Sequence, residues 1–291
     1  MFTIRPEAFD YHRPGTLEEA IALLQTTDGS HALAGGHSLV PAMKLRIANP
    51  SALIDISRIP GLADIEENSD GLSVGAMTTH ETVAGSEVVK AGWSMLAETA
   101  GQIGDPQVRA RGTIGGSIAH ADPAADYPTA LLALGATIHT AGPAGARQIA
   151  ASDFFVDIFA TALQDGELIT KVTVPPVAPG TGSTYLKFNH PASDYAVVGV
   201  AASVTLAAGV CSDVRLAVGG VVGRPILIAG AAQALAGKAP AAETIAAAAD
   251  TVTAALTKPI GDLFATGEYR VHLATVYARR ALSQAAQRAA G

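Results

Sequence analysis

Two stretches of this chain could hold a charged ligand with main-chain atoms alone: Ala34-Gly35-Gly36-His37-Ser38 and Thr113-Ile114-Gly115-Gly116-Ser117, roughly eighty residues apart. Glycine lets a backbone approach a ligand without a Cβ and reaches positive φ. Successive N–H groups in such turns form anion-binding concavities. Hydroxyls flank each Gly-Gly pair, Ser38 in the first stretch and Thr113 and Ser117 in the second. One such stretch is ordinarily a turn. Two of this composition suggest a split cradle for a diphosphate, and so a nucleotide cofactor, against the plainer reading of two unrelated turns. Neither contains Lys or Arg. A diphosphate would then be held by N–H groups and hydroxyls, which suits a permanently bound cofactor better than phosphate chemistry. The chain has no Gly-x-Gly-x-x-Gly fingerprint and no Walker loop ending in Gly-Lys-Ser/Thr.

Other side chains near these stretches carry chemistry. Asp126, in Pro123-Ala124-Ala125-Asp126, could accept hydrogen bonds from a ligand such as a ribityl chain, or cap the apolar helix that begins soon after. His37 and His120 each sit beside a glycine stretch. Each is either a base or covalent cofactor tether, or a loop histidine that only packs and hydrogen-bonds. No Ser/His/Asp order or metal-ligand spacing supports a base. Asp105, Arg109 and Arg111 flank the second stretch and face phosphates or a partner, or form a charge-balanced surface. Lys187 and Asp194-Tyr195 come much later. Tyr195 could stack on a cofactor ring or be an ordinary half-buried tyrosine.

These residues need a scaffold, and 291 residues make two or three domains the expectation. At 49% hydrophobic the chain has ample core material and does not read as disordered. A net charge of −7 with no Lys/Arg cluster argues against nucleic acid as a partner. Cys211 is the only cysteine, so this chain alone builds no disulfide and no cysteine-ligated metal or iron–sulfur site. That usage fits a cytosolic setting, and Cys211 itself reads as a small core residue. Residues 1–10 carry Arg5, Glu7 and Asp10 without a long apolar run, so no signal peptide is expected.

Residues 1–56 read as an α/β unit. Thr16 caps a helix from Leu17, with Glu19 completing a capping box, and strands over 31–34 and 52–56 follow. The strand over 31–34 feeds the first glycine stretch. Residues 57–176 show a strand over 71–76, a helix starting at Thr79, helical character over 93–101 and a break at Ile103-Gly104-Asp105-Pro106. A helix over 129–134 and strands over 136–139, 146–149 and 168–174 come next. Val174-Pro175-Pro176 with Pro179-Gly180 is the clearest linker. Residues 177–291 order three strands (185–188, 197–206, 214–222) before three helices (229–235, 242–256, 269–289), an α+β arrangement.

With these residues in view, the chain resembles the FAD-binding medium subunits of molybdenum hydroxylases, the xanthine dehydrogenase superfamily. It resembles most the medium subunits of aerobic carbon monoxide dehydrogenases. The resemblance rests on 34–44 (Ala-Gly-Gly-His-Ser-Leu-Val-Pro-Ala-Met-Lys) and on the long motif 109–128. Lys187-Phe188, Ser193-Asp194-Tyr195-Ala196 and Glu268-Tyr269-Arg270 support it. It implies an α+β chain with a vanillyl-alcohol-oxidase or PCMH-type FAD-binding fold. Two α/β subdomains (1–56 and 57–176) would precede a C-terminal domain (177–291) of three-stranded antiparallel sheet plus helices. It implies FAD contacts at Ala34, Gly35, Gly36, His37, Ser38, Thr113, Gly115, Gly116 and Ser117. Further contacts would come from Asp126, Leu168 or Ile169, and Lys187, with Tyr195 near the isoalloxazine. Ser117 departs from the family's common Asn, a hydroxyl replacing an amide.

The resemblance implies an oxidoreductase subunit without a catalytic acid–base residue of its own. FAD would sit in this chain, a molybdenum cofactor in a large partner subunit and two [2Fe–2S] clusters in a small one, assembled as a dimer of heterotrimers. Electrons would arrive from the clusters and leave to an acceptor such as quinone. The implied location is cytoplasmic, touching the inner face of the membrane only through partners. Carbon monoxide is the first substrate reading for the complex. An aza-heterocycle such as nicotine or caffeine, or an aldehyde, is the second. A stand-alone flavin oxidase is a rival of another class, with little room for a substrate pocket in the short C-terminal unit.

Overall fold

The computed structural model describes residues 5–291; the start of the first expected unit, 1–4, lies outside the described residues. The N-terminal part contains β1 (Asp10–His12), α1 (Leu17–Thr26), β2 (Ser30–Leu33), α2 (Leu39–Lys44) and β3 (Ala52–Asp55). Its three strands form a parallel sheet in the order β1–β3–β2. All four residues of the central strand are buried, as a doubly covered parallel strand requires. Thr16 Oγ1 accepts from the Glu19 N–H at 3.2 Å, and the Glu19 carboxylate reaches back to the Gly15 N–H at 2.9 Å. This is the expected capping box, its return bond shifted by one residue. In a parallel sheet ligands sit beyond the carboxyl ends of the strands. The first glycine stretch leaves β2 at that end.

The middle part begins with β4 (Ile65–Asn68), β5 (Gly71–Gly75), α3 (His80–Gly85), α4 (Glu87–Gly92), α5 (Ser94–Gly101), α6 (Pro106–Arg109) and α7 (Ile114–His120). It continues with α8 (Asp126–Leu134), β6 (Thr137–Gly142), β7 (Gly145–Ala150), α9 (Ala151–Phe154), β8 (Phe155–Asp157), β9 (Ala160–Thr161) and β10 (Leu168–Val174). A five-stranded antiparallel sheet runs β4–β5–β10–β6–β7. Its inner face (Leu72, Val74, Ile138, Val172) packs on Leu96 of α5, Ile118 of α7 and Leu131 of α8. The register of β10 slips between Ile169 and Lys171, and the Thr170 carbonyl there accepts from the Ala76 N–H at 2.9 Å.

The C-terminal part is β11 (Thr181–Asn189), β12 (Ala196–Ala207), β13 (Val210–Gly219), β14 (Ile226–Leu227), α10 (Ala229–Leu235), α11 (Ala242–Ala255) and α12 (Gly267–Ala290). The sheet is antiparallel in chain order, with a two-residue fourth strand beyond the three expected. One face is covered by α10, α11 and α12 through an alanine-rich core. The sheet also packs on the middle part, where Tyr185, Ala201 and Ala217 meet Met95 of α5 and Ala130, Leu132 and Ala133 of α8. Cys211 is buried in the C-terminal core, as expected. Among the described residues no helix is long and apolar enough to cross a membrane.

Candidate cofactor site

The first glycine stretch has an unused row of donors. Gly36 takes φ +72°, the left-handed conformation that favours glycine. The chain then winds into α2, where the Val40 and Ala42 N–H groups donate to the Gly36 and Ser38 carbonyls. The N–H groups of Gly35, Gly36, His37 and Ser38 have no hydrogen-bond partner among the described residues. His37 Nδ1 lies 2.9 Å from the Gly35 carbonyl oxygen, which pins its ring to the turn. Unsatisfied N–H groups leading into a helix attract anionic oxygen.

The second stretch differs from the sequence reading. Gly115, Gly116 and Ser117 lie within the first turn of α7, not in a loop. Thr113 caps that turn, accepting from the Gly116 N–H at 3.1 Å. The Ile114 N–H donates to the Thr78 carbonyl at 3.0 Å, the Gly115 N–H to that of Ala76 at 2.8 Å and the Ser117 N–H to that of Thr113 at 3.0 Å. Two equivalent rows of N–H donors are therefore corrected to one. The second stretch contributes closeness and the Ser117 hydroxyl, with its backbone donors committed to holding the turn in place.

The structure brings the two stretches together. Gly35 lies flat on the main chain of Arg111 and Gly112, where a Cβ would come 2.8 Å from the Gly112 Cα. A Cβ on Gly116 would lie 3.4 Å from the Ala34 Cβ. Free donors, left-handed glycine and missing Cβ atoms converge where the N-terminal and middle parts meet. That donor set, with no carboxylate in either stretch, fits a diphosphate.

Asp126 and Lys187 also meet, but chiefly each other. Asp126 is 4% exposed. Lys187 Nζ donates to Asp126 Oδ2 at 3.0 Å and to the Gln102 carbonyl at 2.8 Å. The Tyr185 hydroxyl donates to Asp126 Oδ1 at 2.6 Å. The expected helix cap at Asp126 is corrected: Ala125 occupies the cap position, and Asp126 is the first helical residue. Burial pushes the Asp126 carboxyl up to about 6, against the opposing pull of Lys187 and Tyr185. Tyr195 is 44% exposed and lies close to Ser38 of the first stretch. Burial of its hydroxyl, with Asp122 and Asp126 nearby, raises its pKa, and Ser38 works against that. Tyr195 thus brings the C-terminal part against the first glycine stretch.

Leu168 and Ile169 are buried, with their side chains in two cores and both residues paired with β6. His120 is drawn away to stack on Phe159, with centroids 5.0 Å apart. Asp105 caps α6, and Arg109 binds the Ile103 and Gly104 carbonyls and pairs with Glu81 at 3.5 Å. Both are structural here. Sequence reasoning missed Tyr185, Gln102 and His80. Tyr185 was within reach, since it stands two residues before Lys187 and a strand places such residues on one face.

The fold and these free donors define a chain whose first glycine stretch suits the diphosphate of a nucleotide cofactor. Residues 7–177 match the family described as the FAD binding domain in molybdopterin dehydrogenase, and residues 183–285 match the CO dehydrogenase flavoprotein C-terminal domain. The medium chain of carbon monoxide dehydrogenase from Hydrogenophaga pseudoflava is 40% identical over 98% of this chain and 99% of its own length. The medium subunit of nicotine 6-hydroxylase from Paenarthrobacter nicotinovorans is 38% identical over 97% and 98%. A solved H. pseudoflava carbon monoxide dehydrogenase, lacking the Mo-pyranopterin moiety of its molybdenum cofactor, superposes with a TM-score of 0.94 at 41% identity, covering 98% of this chain and 99% of that one. The chain belongs to the FAD-binding medium subunits of the carbon monoxide dehydrogenase type of molybdenum hydroxylases.

Proposed function

We propose that this chain is the FAD-carrying electron-transfer subunit of an aerobic, molybdenum-containing carbon monoxide dehydrogenase-like hydroxylase. It receives electrons from [2Fe–2S] clusters in a small partner subunit and passes them to an external acceptor such as quinone. A large partner subunit carries the molybdenum cofactor and the substrate. The observation that carries this reading is the row of free N–H groups at 35–38, laid against a second glycine turn in a chain of this family.

Bound FAD supplies a carrier that exchanges electrons singly or in pairs. The chain's residues bind and orient it. Gly35, Gly36, His37 and Ser38 would present their N–H groups to the diphosphate. Gly115, Gly116 and Ser117 form the opposite wall, Ser117 giving a hydroxyl. Leu168 or Ile169 would border the bound cofactor, and Tyr195, close to Ser38, would contact its isoalloxazine end. Asp126 and Lys187 act mainly on one another, holding the C-terminal domain (177–291) against the second subdomain (57–176), which with residues 1–56 forms the cofactor site.

A second substrate reading has an observation behind it: the nicotine 6-hydroxylase relative is nearly as similar as the carbon monoxide dehydrogenase one. The test is purification from the native host with metal, flavin and subunit analysis, followed by assay with carbon monoxide and with nicotine-like heterocycles. The expected result is FAD, iron and molybdenum in one complex with two further subunits. Substrate turnover by a lone FAD-loaded chain would instead make it a stand-alone flavin oxidase.

A further inference from the structure

His80 lies under the contact between the two glycine stretches. A Cβ added to Gly112 would come 2.5 Å from His80 Nε2 and 2.8 Å from its Cδ2. The His80 N–H donates to the Gly112 carbonyl at 2.9 Å. The His80 ring also meets the Tyr127 ring, with centroids 5.3 Å apart. Gly35 in turn rests on the Gly112 main chain. A packed column, Tyr127–His80–Gly112–Gly35, therefore runs from the first turn of α8 through the first residue of α3 to the row of free N–H groups.

The column has an unusual floor. His80 is 4% and Tyr127 0% exposed, yet His80 Nδ1 and the Tyr127 hydroxyl find no hydrogen-bond partner among the described residues. A buried polar group left unpaired pays a desolvation cost, so each such group needs a structural reason. His37 from the first stretch and Arg109 from α6 face His80, and Arg109 is itself paired with Glu81. Burial first, then these two neighbours, lower the His80 pKa to about 4, so the ring is uncharged at neutral pH.

We infer that His80 is a positioning residue for the cofactor site: its ring, backed by Tyr127, sets the place of Gly112 and thereby seats the first glycine stretch. The ligand in this inference rests on the FAD reading; the seating itself is a property of the chain alone. The test uses the full chain with His80→Ala, Gly112→Ala and the double variant. Hydrogen exchange of the Val40 and Ala42 amides reports the seating, and FAD retention, read by flavin fluorescence, reports its consequence. His80→Ala is expected to speed exchange across 39–44 by about tenfold and to weaken FAD retention to a similar degree. Gly112→Ala drives its methyl into the ring and should do the same. In the double variant that methyl fills the space the ring vacated, and both readings should return to within threefold of wild type. His80→Gln, which keeps a side-chain atom near Gly112, should also rescue both.

Unchanged exchange and FAD retention within twofold of wild type in His80→Ala, even with a lower Tm, would overturn the inference and leave His80 as core filling. If His80→Ala does not fold, Gly112→Ala and His80→Gln decide by the same readings. Altered exchange in a chain that takes up no FAD would uphold the seating and sink the cofactor reading instead.

Discussion

At the scale of single residues, the energetics of the site rest on the pair Asp126–Lys187. Both side chains are almost fully buried, 5% and 2% exposed, and each has further hydrogen bonds to satisfy it. Removing one partner of such a pair strands a buried charge, typically at about 3–5 kcal/mol. Lys187→Met is expected to lower stability by that amount at pH 7, measured by urea unfolding. The loss should depend on pH in a defined sense. The folded-state pKa of Asp126 is raised to about 6, above its ordinary value of 3.8, so the fold favours the protonated carboxyl. Its contribution is most favourable below the ordinary value and is lost as pH rises through 6. Without Lys187 the carboxyl titrates higher still, so the variant should regain part of its deficit between pH 7 and pH 5. A deficit independent of pH would mean that Asp126 is not the group stranded. The resemblance marked both residues as cofactor contacts, but a sequence position does not tell which neighbour a side chain turns to. The glycines divide in the same way. Gly35→Ala would push a Cβ into the main chain at Arg111 and Gly112, which cannot yield, whereas Gly116→Ala meets mainly its own cap, the Thr113 hydroxyl, at 2.9 Å. Gly35→Ala is expected to abolish FAD retention, and Gly116→Ala to weaken it by no more than about tenfold; equal losses would contradict the unequal geometry.

At the scale of elements, the second glycine stretch is a helix start that its own residues argue against, since glycine disfavours helix by about 1 kcal/mol relative to alanine. Tertiary contacts override that preference: the carbonyls of Ala76 and Thr78 receive the Gly115 and Ile114 N–H groups, and Thr113 caps the turn. Nothing local announces carbonyls supplied from nearly forty residues upstream, so the sequence reads as a loop. By contrast α1, α10, α11 and α12 and the long strands β10, β12 and β13 carry enough periodic residues to be legible before folding. β1, β4, α2, α4 and α6 each span three to six residues, too few to complete a pattern, so the sequence does not announce them. Thr113→Val tests the cap directly. It keeps the shape, removes the acceptor of the Gly116 N–H, and is expected to cost about 1 kcal/mol of stability. A loss of FAD larger than the loss of stability would place the Thr113 hydroxyl on the ligand rather than on the turn. On the far edge of the same sheet, Arg147 holds the Glu167 carboxyl down to about 2, with help from Thr140 and the Gln164 N–H and against the cost of burial. A depressed carboxylate stabilises the fold above its ordinary value and loses that effect as pH falls through 2. Arg147→Met should therefore lower stability near neutral pH, measured by urea unfolding, with the deficit shrinking as pH falls toward 2.

At the scale of the whole molecule, the exposed Pro-rich segment over 175–180 separates the FAD-binding part from the C-terminal domain in sequence, but not mechanically. The Trp93 indole N–H holds the Pro175 carbonyl at 2.8 Å. The helices α5 and α8 share a core with β11, β12 and β13 through Met95, Ala130, Tyr185, Ala201 and Ala217. Among the described residues two ion pairs cross the same boundary, the buried Lys187–Asp126 and the more exposed Arg288–Glu98. Exposed pairs contribute about 0–1 kcal/mol, so Arg288→Ala should hardly loosen the boundary, while loss of the buried pair should. A cut chain makes this measurable. With a protease site placed between Val177 and Gly180, the two cleaved pieces should co-elute as one species, because the apolar contact and the buried pair need no covalent link. The same cut in Arg288→Ala should also co-elute. In Lys187→Met it should yield pieces that separate, since Tyr185 and its strand then sit over an unpaired carboxylate. Separation of the wild-type pieces would show that the covalent linker, not this interface, keeps Tyr195 over the first glycine stretch.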